Sequence, residues 1–346
     1  MNPSKNMDEI LQWFIQNRPI YTNLANKVES IIKEVLDAEG ITYYSISSRA
    51  KEIDSFIKKA SKDKYNDPIR QIQDLAGIRV ITFVKSEVIR CCEAIKPLFN
   101  IDEANSVDKG RELGSDKVGY RSVHYVATLT DERLVLPEYK LFKDLTFEIQ
   151  VRTILEHAWA DIAHDRSYKF MGDFPPEYDI ERRFALASAT LELVDREFDS
   201  IAATLDKYEH ETERKTKRGE LDIPINSTSL GNYLLLTLRE YINQGIISTT
   251  FNGGEVEVIE ELLSFGVNTI FELDQIINNE HDKYITKPTN FMGFIRNVMM
   301  FVDIDKYFNT AWNKHWRGID IATVDKLRKN GINIDRYLDE MDLMVN

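Results

Sequence analysis

Apolar positions near the start of the chain follow a helical period. Between residues 8 and 38 they recur at steps of three and four on both sides of Pro19. A proline inside a helix removes one backbone hydrogen bond and clashes with the preceding turn. The pattern therefore predicts two amphipathic helices that meet at Pro19.

Three later segments have the pattern of strands. Residues 77–84, 121–128 and 145–153 are rich in β-branched and aromatic side chains. In the third segment apolar and polar residues alternate, with Phe147, Ile149 and Val151 against Glu148, Gln150 and Arg152. This alternation predicts a strand with one packed face and one polar face.

Helical patterns accompany these strands. They cover residues 87–98, between the first two strands, and residues 154–167 and 180–205, after the third. Helices placed beside a mixed sheet make an α+β domain. We predict such a domain for residues 1–206.

The composition changes after residue 206. Residues 207–229 are densely charged and then rich in turn-forming residues, which predicts a linker. Helical patterns dominate from 230 to 346, so we predict a mainly helical second domain there. Two stretches of it, 262–277 and 327–341, share the order helix, glycine, apolar residue, asparagine, helix, and we interpret them as similar helix-turn-helix units.

The overall composition is that of an ordinary globular protein. Charged residues make up 29% of the chain and hydrophobic residues 43%, and the net charge is −13. Neither half of the chain is basic. A general nucleic-acid binder is therefore disfavoured, although a local basic pocket remains open.

The chain shows no pattern of export or membrane insertion. We find neither a signal-peptide pattern at the N-terminus nor an apolar stretch of membrane-spanning length. Cys91 and Cys92 are adjacent, which is too close for an ordinary disulfide, and two cysteines are too few for a structural zinc site. A reducing cytoplasm is the expected location.

Two carboxylates are candidates for a metal site. Asp74 precedes the first predicted strand, and Glu148 lies on the polar face of the third. If these strands are neighbours, the carboxylates converge, and Mg²⁺ takes one or two carboxylates together with substrate phosphates. This arrangement suits phosphoryl-type transfer. The alternative is that Asp74 caps a turn and Glu148 faces solvent.

Basic residues cluster between positions 49 and 64. They are Arg49, Lys51, Lys58, Lys59, Lys62 and Lys64. Such a run is typical of a solvated face. Arg49 and Lys51 differ because they lie where a strand passes into a helix, a place where cations and backbone N–H groups can receive phosphate. Arg79 is expected either in an ion pair or stacked on a planar ligand.

A short segment around residue 120 offers a place for a nucleotide base. Gly119 allows close approach of a ligand, Tyr120 presents a flat ring, and His124 lies four residues further on. Purine stacking on Tyr120 competes here with simple packing. His157 and His164 lie seven residues apart on one predicted helix and are expected to be core or capping residues.

Hydrolase activity is not expected. His164 and Asp165 form an HD pair, but a metal phosphohydrolase of that kind needs several such ligands spread over a helical domain. The residues before Tyr43 are too few for such a domain.

Four motifs together resemble the synthetase domain of the RelA/SpoT family. They are SRAK at 48–51, DLAGIRVI at 74–81, GYRSVHYV at 119–126 and FEIQVRTILEHAWADIAHDRSYK at 147–169. The resemblance covers residues 8–205 and implies a nucleotidyltransferase-like mixed β-sheet flanked by helices. It also implies transfer of the β,γ-pyrophosphate of ATP to the ribose 3′-hydroxyl of GDP or GTP, which makes the alarmone (p)ppGpp.

The resemblance implies a role for each matching residue. Asp74 and Glu148 would be the Mg²⁺ ligands, and Glu148 would also accept the proton of the attacking hydroxyl. The ATP-binding residues would be Arg49 and Arg79, which sandwich the adenine, and Lys51 and Lys59, which hold the phosphates. The acceptor-binding residues would be Tyr120, which stacks on the base, with His124, Gln150 and Arg152.

One departure from the family pattern concerns the acceptor. Many members carry lysine, proline and asparagine before the Gly-Tyr pair, where this chain has Asp116, Lys117 and Val118. Some relatives are toxins that transfer pyrophosphate to the 3′ end of tRNA. A tRNA-directed toxin and a catalytically silent nucleotide sensor are therefore the alternatives to an alarmone synthetase.

The expected partners follow from these hypotheses. They are ATP and GDP or GTP as substrates, tRNA under the toxin alternative, and no membrane. The C-terminal domain carries none of the family motifs, so we expect it to regulate activity, through a second copy of the chain or a regulatory partner.

Overall fold

The computed structural model describes residues 6–108, 122–169, 179–312, 314 and 316–345. The chain divides into two compact units, Met1–Ala203 and Thr204–Asn346, which we call unit 1 and unit 2. Each unit has its own cluster of buried apolar side chains.

Unit 1 is built on a mixed β-sheet. Its strands are β1 Ser45–Ala50, β2 Ala76–Thr82, β3 Phe99–Ile101, β4 Val107–Asp108, β5 Val123–Leu129 and β6 Phe147–Thr153. The strand order is β1-β2-β6-β5-β3, and β4 pairs with β5 outside this path. Strands β2 and β6 are parallel and the other pairs are antiparallel. This sheet confirms the predicted α+β fold, and its pairing of β2 with β6 meets the condition that the first and third predicted strands are neighbours.

Helices lie beside this sheet. They are α1 Met7–Ala38, α2 Ile53–Ala60, α3 Pro68–Gln71, α4 Lys85–Ile95, α5 Asp131–Leu134, α6 Ile154–Lys169 and α7 Ile180–Lys217, with 3-10 turns at Lys96–Leu98 and Pro137–Phe142. Side chains of α1 and α4 pack against the apolar face of the sheet, where Ile78, Ile149 and Val151 are fully buried. The other face is the polar one that the alternation in β6 predicts.

The predicted break at Pro19 is wrong, because α1 continues through it. Phe14 lies before the proline and Tyr21 and Leu24 lie after it, and all three are buried. Each such side chain contributes roughly 1.5–3 kcal/mol on burial. Packing on both sides of Pro19 therefore offsets the loss of about 3 kcal/mol that an interior proline causes.

The predicted linker is also partly wrong, because α7 extends to Lys217. In this stretch Lys215 pairs with Glu211 at 3.0 Å and Lys217 pairs with Glu213 at 2.5 Å, both with helical i,i+4 spacing. Thr212 and Thr216 are buried one turn apart. The dense charge therefore belongs to the exposed face of a helix, and only the turn-rich part after it connects to the next element.

Unit 2 is mostly helical, as predicted. Its helices are α8 Ser227–Thr237, α9 Arg239–Asn243, α10 Glu255–Ser264, α11 Ile270–Ile277, α12 His281–Tyr284, α13 Phe291–Val302, α14 Ile304–Lys306, α15 Ile321–Lys329 and α16 Asp335–Glu340, with a π-helical turn at Tyr307–Ala311. Short strands add two parallel pairs, β7 Ile247–Ser248 with β8 Thr289–Asn290 and β9 Gly318–Ile319 with β10 Met344–Val345.

The two similar stretches noted in the sequence are parts of a duplicated structure. Each parallel strand pair encloses a helix, a glycine turn and a second helix. Gly266 and Gly331 end the first helix of each pair with φ of +85° and +75°. Matching bonds follow, from Val267 N to Leu262 O at 2.9 Å and from Ile332 N to Leu327 O at 3.0 Å. The sequence similarity therefore reports a repeated strand-helix-helix-strand unit.

Over the described parts of the chain, no helix combines the length and the apolar character that crossing a bilayer requires.

Candidate active site

The polar face of the sheet in unit 1 places the predicted site residues in two rows. Strand register puts Ser47 opposite Arg79, Arg79 opposite Gln150 and Gln150 opposite His124, and the next row is Arg49, Gly77, Glu148 and Val126. Because side chains of paired residues point to the same face, each row lies across neighbouring strands. The polar face that the alternation in β6 predicts therefore continues across the neighbouring strands.

Gly77 leaves open space between two of these residues. It pairs with Arg49 on one side and with Glu148 on the other. A Cβ added at Gly77 would meet only the backbone oxygen of Arg49, at 3.8 Å. The sheet surface between the guanidinium and the carboxylate is therefore accessible to a ligand.

A cavity of about 390 Å³ lies over this surface. It brings together most of the predicted site residues, namely Arg49, Lys51, Lys59, Asp74, Arg79, Glu148 and Gln150. Its other charged lining residues are Glu52, Lys58 and Lys62. Cations outnumber carboxylates around the cavity, although the whole chain is acidic. This is the local basic pocket that the composition left open.

Asp74 is held by two lysines. Lys51 follows β1 and donates from Nζ to Asp74 Oδ2 at 2.7 Å, and Lys59 in α2 donates to the same oxygen at 2.9 Å. Burial alone would raise the pKa of this carboxyl, but the two ammonium groups outweigh burial and hold the pKa below its usual value. The same pairing outweighs burial at Lys59 and raises its pKa. Asp74 is therefore a carboxylate at neutral pH.

Glu148 is held by two different neighbours. His124 Nδ1 lies 2.7 Å from Glu148 Oε1, and Gln150 Nε2 donates to Oε2 at 2.9 Å. Burial would raise the pKa of Glu148 and so would the nearby Asp74, but the contacts with His124 and Gln150 lower it overall. His124 and Gln150 thus fix the orientation and the charge of this carboxylate.

Arg152 does not line the cavity, although it shares the polar face with Glu148. Its side chain is buried, and its Nη2 lies 2.7 Å from Nδ1 of His157 in α6. The same atom lies 3.8 Å from Asp161 Oδ1. Its predicted contact with the acceptor stays a prediction.

Tyr120 lies outside the described residues. The stacking role predicted for it stays a prediction.

Sequence reasoning missed several residues that line the cavity. Ser55, Lys58 and Lys62 join Lys59 at its edge, and spacings of three and four residues could have placed them on one side of α2 and its end. His164 also lines the cavity, which differs from the core or capping role that its position predicted.

The two carboxylates fit a magnesium site. Asp74 Oδ1 is buried and has no hydrogen-bond partner within the described residues, while Oδ2 is occupied by the lysines. Asp74 and Glu148 line the same cavity. No cluster of three or more metal-ligating side chains occurs among the residues that the structure describes. Mg²⁺ commonly binds one or two carboxylates and completes its shell with substrate phosphates and water.

Part of the chain matches a described protein family and two known proteins. Residues 48–173 match the family described as "Region found in RelA / SpoT proteins". The chain is 28% identical over 185 residues to the GTP pyrophosphokinase YjbM of Bacillus subtilis (strain 168), covering 51% of this chain and 79% of that protein. It is 26% identical over 152 residues to the GTP pyrophosphokinase YwaC of the same organism, covering 40% of this chain and 64% of that protein.

A solved structure is also similar to part of the chain. The small alarmone synthetase 1 from Bacillus subtilis is similar with a TM-score of 0.47 and 22% identity, covering 57% of this chain and 98% of that one. All four motifs noted in the sequence lie within residues 48–173. Residues 48–173 are therefore similar to the RelA/SpoT region, which confirms the family resemblance noted for this part of the chain.

Proposed function

We propose that this protein transfers the β,γ-pyrophosphate of ATP to the ribose 3′-hydroxyl of GDP or GTP, releasing AMP and making (p)ppGpp. The observation that carries the proposal is that Asp74 and Glu148 line one cavity together with an excess of cationic side chains. Two polyanionic substrates need this combination, because transfer between them depends on positioning and charge neutralisation. The names of the two curated relatives support the same activity.

The basic side of the cavity suits the donor nucleotide. Lys51 and Lys59 bring their ammonium groups to one oxygen of Asp74, so both are in place to contact phosphate oxygens as well. Arg49 on β1 and Arg79 on β2 lie on the same face of the sheet, in the two adjacent rows of paired residues. Planar guanidinium groups stack well on a purine, and we assign the adenine to this pair.

Asp74 and Glu148 are the residues that would hold Mg²⁺. The unpartnered Oδ1 of Asp74 is the atom that supports this assignment most directly. When bound, the ion would neutralise charge on the transferring phosphates. Lys51 and Lys59 would keep Asp74 charged and oriented for that purpose.

Glu148 is the residue that we place at the acceptor hydroxyl. The ionised carboxylate accepts a hydrogen bond from the ribose 3′-hydroxyl and orients its oxygen toward the β-phosphorus of ATP. The new bond forms between this oxygen and the β-phosphorus, while the bond from the β-phosphorus to the α,β-bridging oxygen breaks and AMP leaves. The hydroxyl proton passes to Glu148 and then to solvent. A carboxyl group of lowered pKa releases this proton readily.

The acceptor would lie against the β5 side of Glu148. His124 and Gln150 are paired residues on β5 and β6, and both contact the Glu148 carboxylate. The Nε2 atom of His124 is buried and has no hydrogen-bond partner within the described residues. An acceptor group that reaches this atom would satisfy it. The expected stacking of the acceptor base on Tyr120 belongs to the same proposal.

The experiment offers ATP labelled in the γ-phosphate together with GDP, GTP, ATP or bulk tRNA in separate reactions. We expect the label to appear in GDP and GTP and to remain there when the protein is removed. Label in tRNA alone would contradict a nucleotide acceptor and show that the acceptor is RNA. Absence of label in every acceptor, with folded protein and Mg²⁺ present, would contradict the proposed activity.

A further inference from the structure

Arg152 connects the polar face of the sheet to helix α6. It stands opposite Ile81 in the register of β6 with β2, and its side chain is only 4% exposed. Its Nη2 lies 2.7 Å from Nδ1 of His157, in the first turns of α6. A buried guanidinium with a short contact of this kind fixes the helix to the strand that precedes it.

The chemistry of this contact fixes the protonation of His157. A guanidinium nitrogen carries only donors, so His157 Nδ1 must be the acceptor. The imidazole is therefore neutral and carries its proton on Nε2. Burial lowers the pKa of His157, and the positive charge of Arg152 lowers it further.

The charged groups that face His157 come from three elements. They are Arg152 on β6, Asp161 on α6 itself and Arg79 on β2. Asp161 Oδ1 lies 3.5 Å from His157 Nδ1 and raises its pKa, whereas Arg79 lowers it. The pKa is lowered overall, so the neutral form persists to pH values below the usual histidine range.

The same side of α6 reaches the cavity. His157, Asp161 and His164 follow each other at steps of four and three residues, which places them on one face of the helix. His164 lines the cavity together with Arg79 and Gln150, which are paired across β2 and β6. The position of α6 on the sheet therefore sets one wall of the nucleotide site.

We propose that Arg152 and His157 are positioning residues that clamp α6 over the polar face of the sheet and thereby hold the His164 wall of the nucleotide site in place. This inference rests on the proposed function and replaces the direct acceptor contact expected for Arg152. Protonation of His157 turns the acceptor into a donor and sets two cations side by side, so the clamp opens at acid pH. Nucleotide affinity then falls as pH decreases through the pKa of His157.

The test compares two substitutions in the full chain. His157→Asn keeps an acceptor near the place of Nδ1 and cannot gain a proton, whereas His157→Leu removes the acceptor. We measure kcat and KM for ATP between pH 5.5 and 8, and the affinity for the ATP analogue AMPCPP over the same range. Melting temperatures control for folding. The titration of ATP and of the other histidines is common to the wild type and His157→Asn, so it cancels when their pH profiles are compared.

The expected result separates the clamp from a purely structural role. Wild-type KM and AMPCPP dissociation constant should rise progressively as pH falls to 5.5, by less than about tenfold because the pKa of His157 is below its usual value, while His157→Asn stays close to its value at pH 7.5. His157→Leu should show weak binding at every pH. Wild-type pH dependence in His157→Asn, or wild-type binding in folded His157→Leu, would overturn the clamp.

The binding measurement also keeps this inference apart from the proposed function. A wild-type protein that binds AMPCPP with the expected pH dependence but transfers nothing would support the clamp and contradict the activity. Pyrophosphate transfer, together with AMPCPP affinities that are equal in all three proteins at all pH values, would support the activity and contradict the clamp.

Discussion

The ammonium group of Lys51 donates a 2.7 Å hydrogen bond to the carboxylate of Asp74. The bond joins the end of β1 to the segment just before β2, its antiparallel neighbour. Lys51 directly follows β1, and Asp74 lies shortly before β2. The backbone N–H of Lys51 also donates to the Leu75 carbonyl at 2.9 Å, so the pair is anchored by the main chain. This link places a phosphate-binding cation and a candidate metal ligand side by side, with the second oxygen of Asp74 left for a ligand.

Replacing either carboxylate should abolish transfer without unfolding the protein. In Asp74→Asn and Glu148→Gln we expect turnover to fall by at least about 100-fold, because each change removes an anionic group from the reacting centre. Asp54→Asn is the control, since Asp54 is an exposed carboxylate on α2 that does not line the cavity. Steady-state kinetics and thermal melting check both points. Turnover near that of the control in either variant would refute the assignment of two essential carboxylates.

The contact between His124 and Glu148 should set the acid limit of activity. Glu148 must be ionised to take the hydroxyl proton, so activity is present above its lowered pKa and is lost as pH falls through it. In His124→Ala the largest influence that lowers this pKa is gone, and burial raises it. We expect the acid limb of the pH profile of kcat/KM to move to higher pH, whereas His210→Ala, at an exposed position on α7, leaves it in place. An unmoved limb in His124→Ala would show that Glu148 does not govern it.

Several features of the fold and the site were open to prediction from the sequence. The strands β2, β5 and β6 were found, and the alternation around Glu148 gave the correct polar face. The parallel pairing of β2 with β6 then brought Asp74 and Glu148 to one cavity, as expected for neighbouring strands. Successive side chains of a strand point to opposite faces, so the sequence alone shows which residues share a face.

Other features depend on tertiary packing and were missed. The helix α1 passes through Pro19 because its buried face continues on both sides. Helical spacing groups Ser55, Lys58 and Lys62 but does not say whether they face solvent or a sheet. Strand parity put Arg152 on the polar face but could not show that α6 covers it there.

Breaking a buried ion pair in unit 2 should strongly destabilise that unit. Arg296 donates from Nε and Nη2 to the two oxygens of Glu261, at 2.9 and 2.7 Å, and the Glu261 side chain is fully buried. Glu261→Gln leaves a buried guanidinium without its main counter-charge, so we expect the free energy of unfolding to fall by about 3–5 kcal/mol. Glu257→Gln is the matched control, because Glu257 is 40% exposed and lies 3.5 Å from Arg296, and it should cost at most about 1 kcal/mol.

Urea unfolding of the full chain measures both variants. Equal losses of unfolding free energy in the two variants would mean that burial does not determine the contribution of each carboxylate. The double variant Glu261→Leu with Arg296→Met should be more stable than Glu261→Gln, since no charge remains buried without a partner.

Unit 2 should alter the rate of transfer rather than supply the chemistry. It has its own apolar core, and the RelA/SpoT region ends before it begins. Since α7 extends to Lys217, we place the truncation after Gly219, just beyond the end of this helix. The shortened chain should fold and should differ several-fold in basal turnover, because a regulatory unit acts by a coupling free energy of about 1–3 kcal/mol. Identical turnover with every acceptor would remove the regulatory role, and an unfolded product would show that unit 1 needs the rest of the chain.

The stoichiometry of the reaction tests the central claim most directly. Phosphorus NMR of a reaction with ATP, GDP and Mg²⁺ follows donor and acceptor together. We expect one AMP for each GDP consumed, with the new phosphorus signals arising from a diphosphate on the ribose 3′-oxygen and no accumulation of ADP. Formation of ADP in place of AMP, or AMP released with free pyrophosphate and unchanged GDP, would contradict pyrophosphate transfer at the Asp74 and Glu148 site.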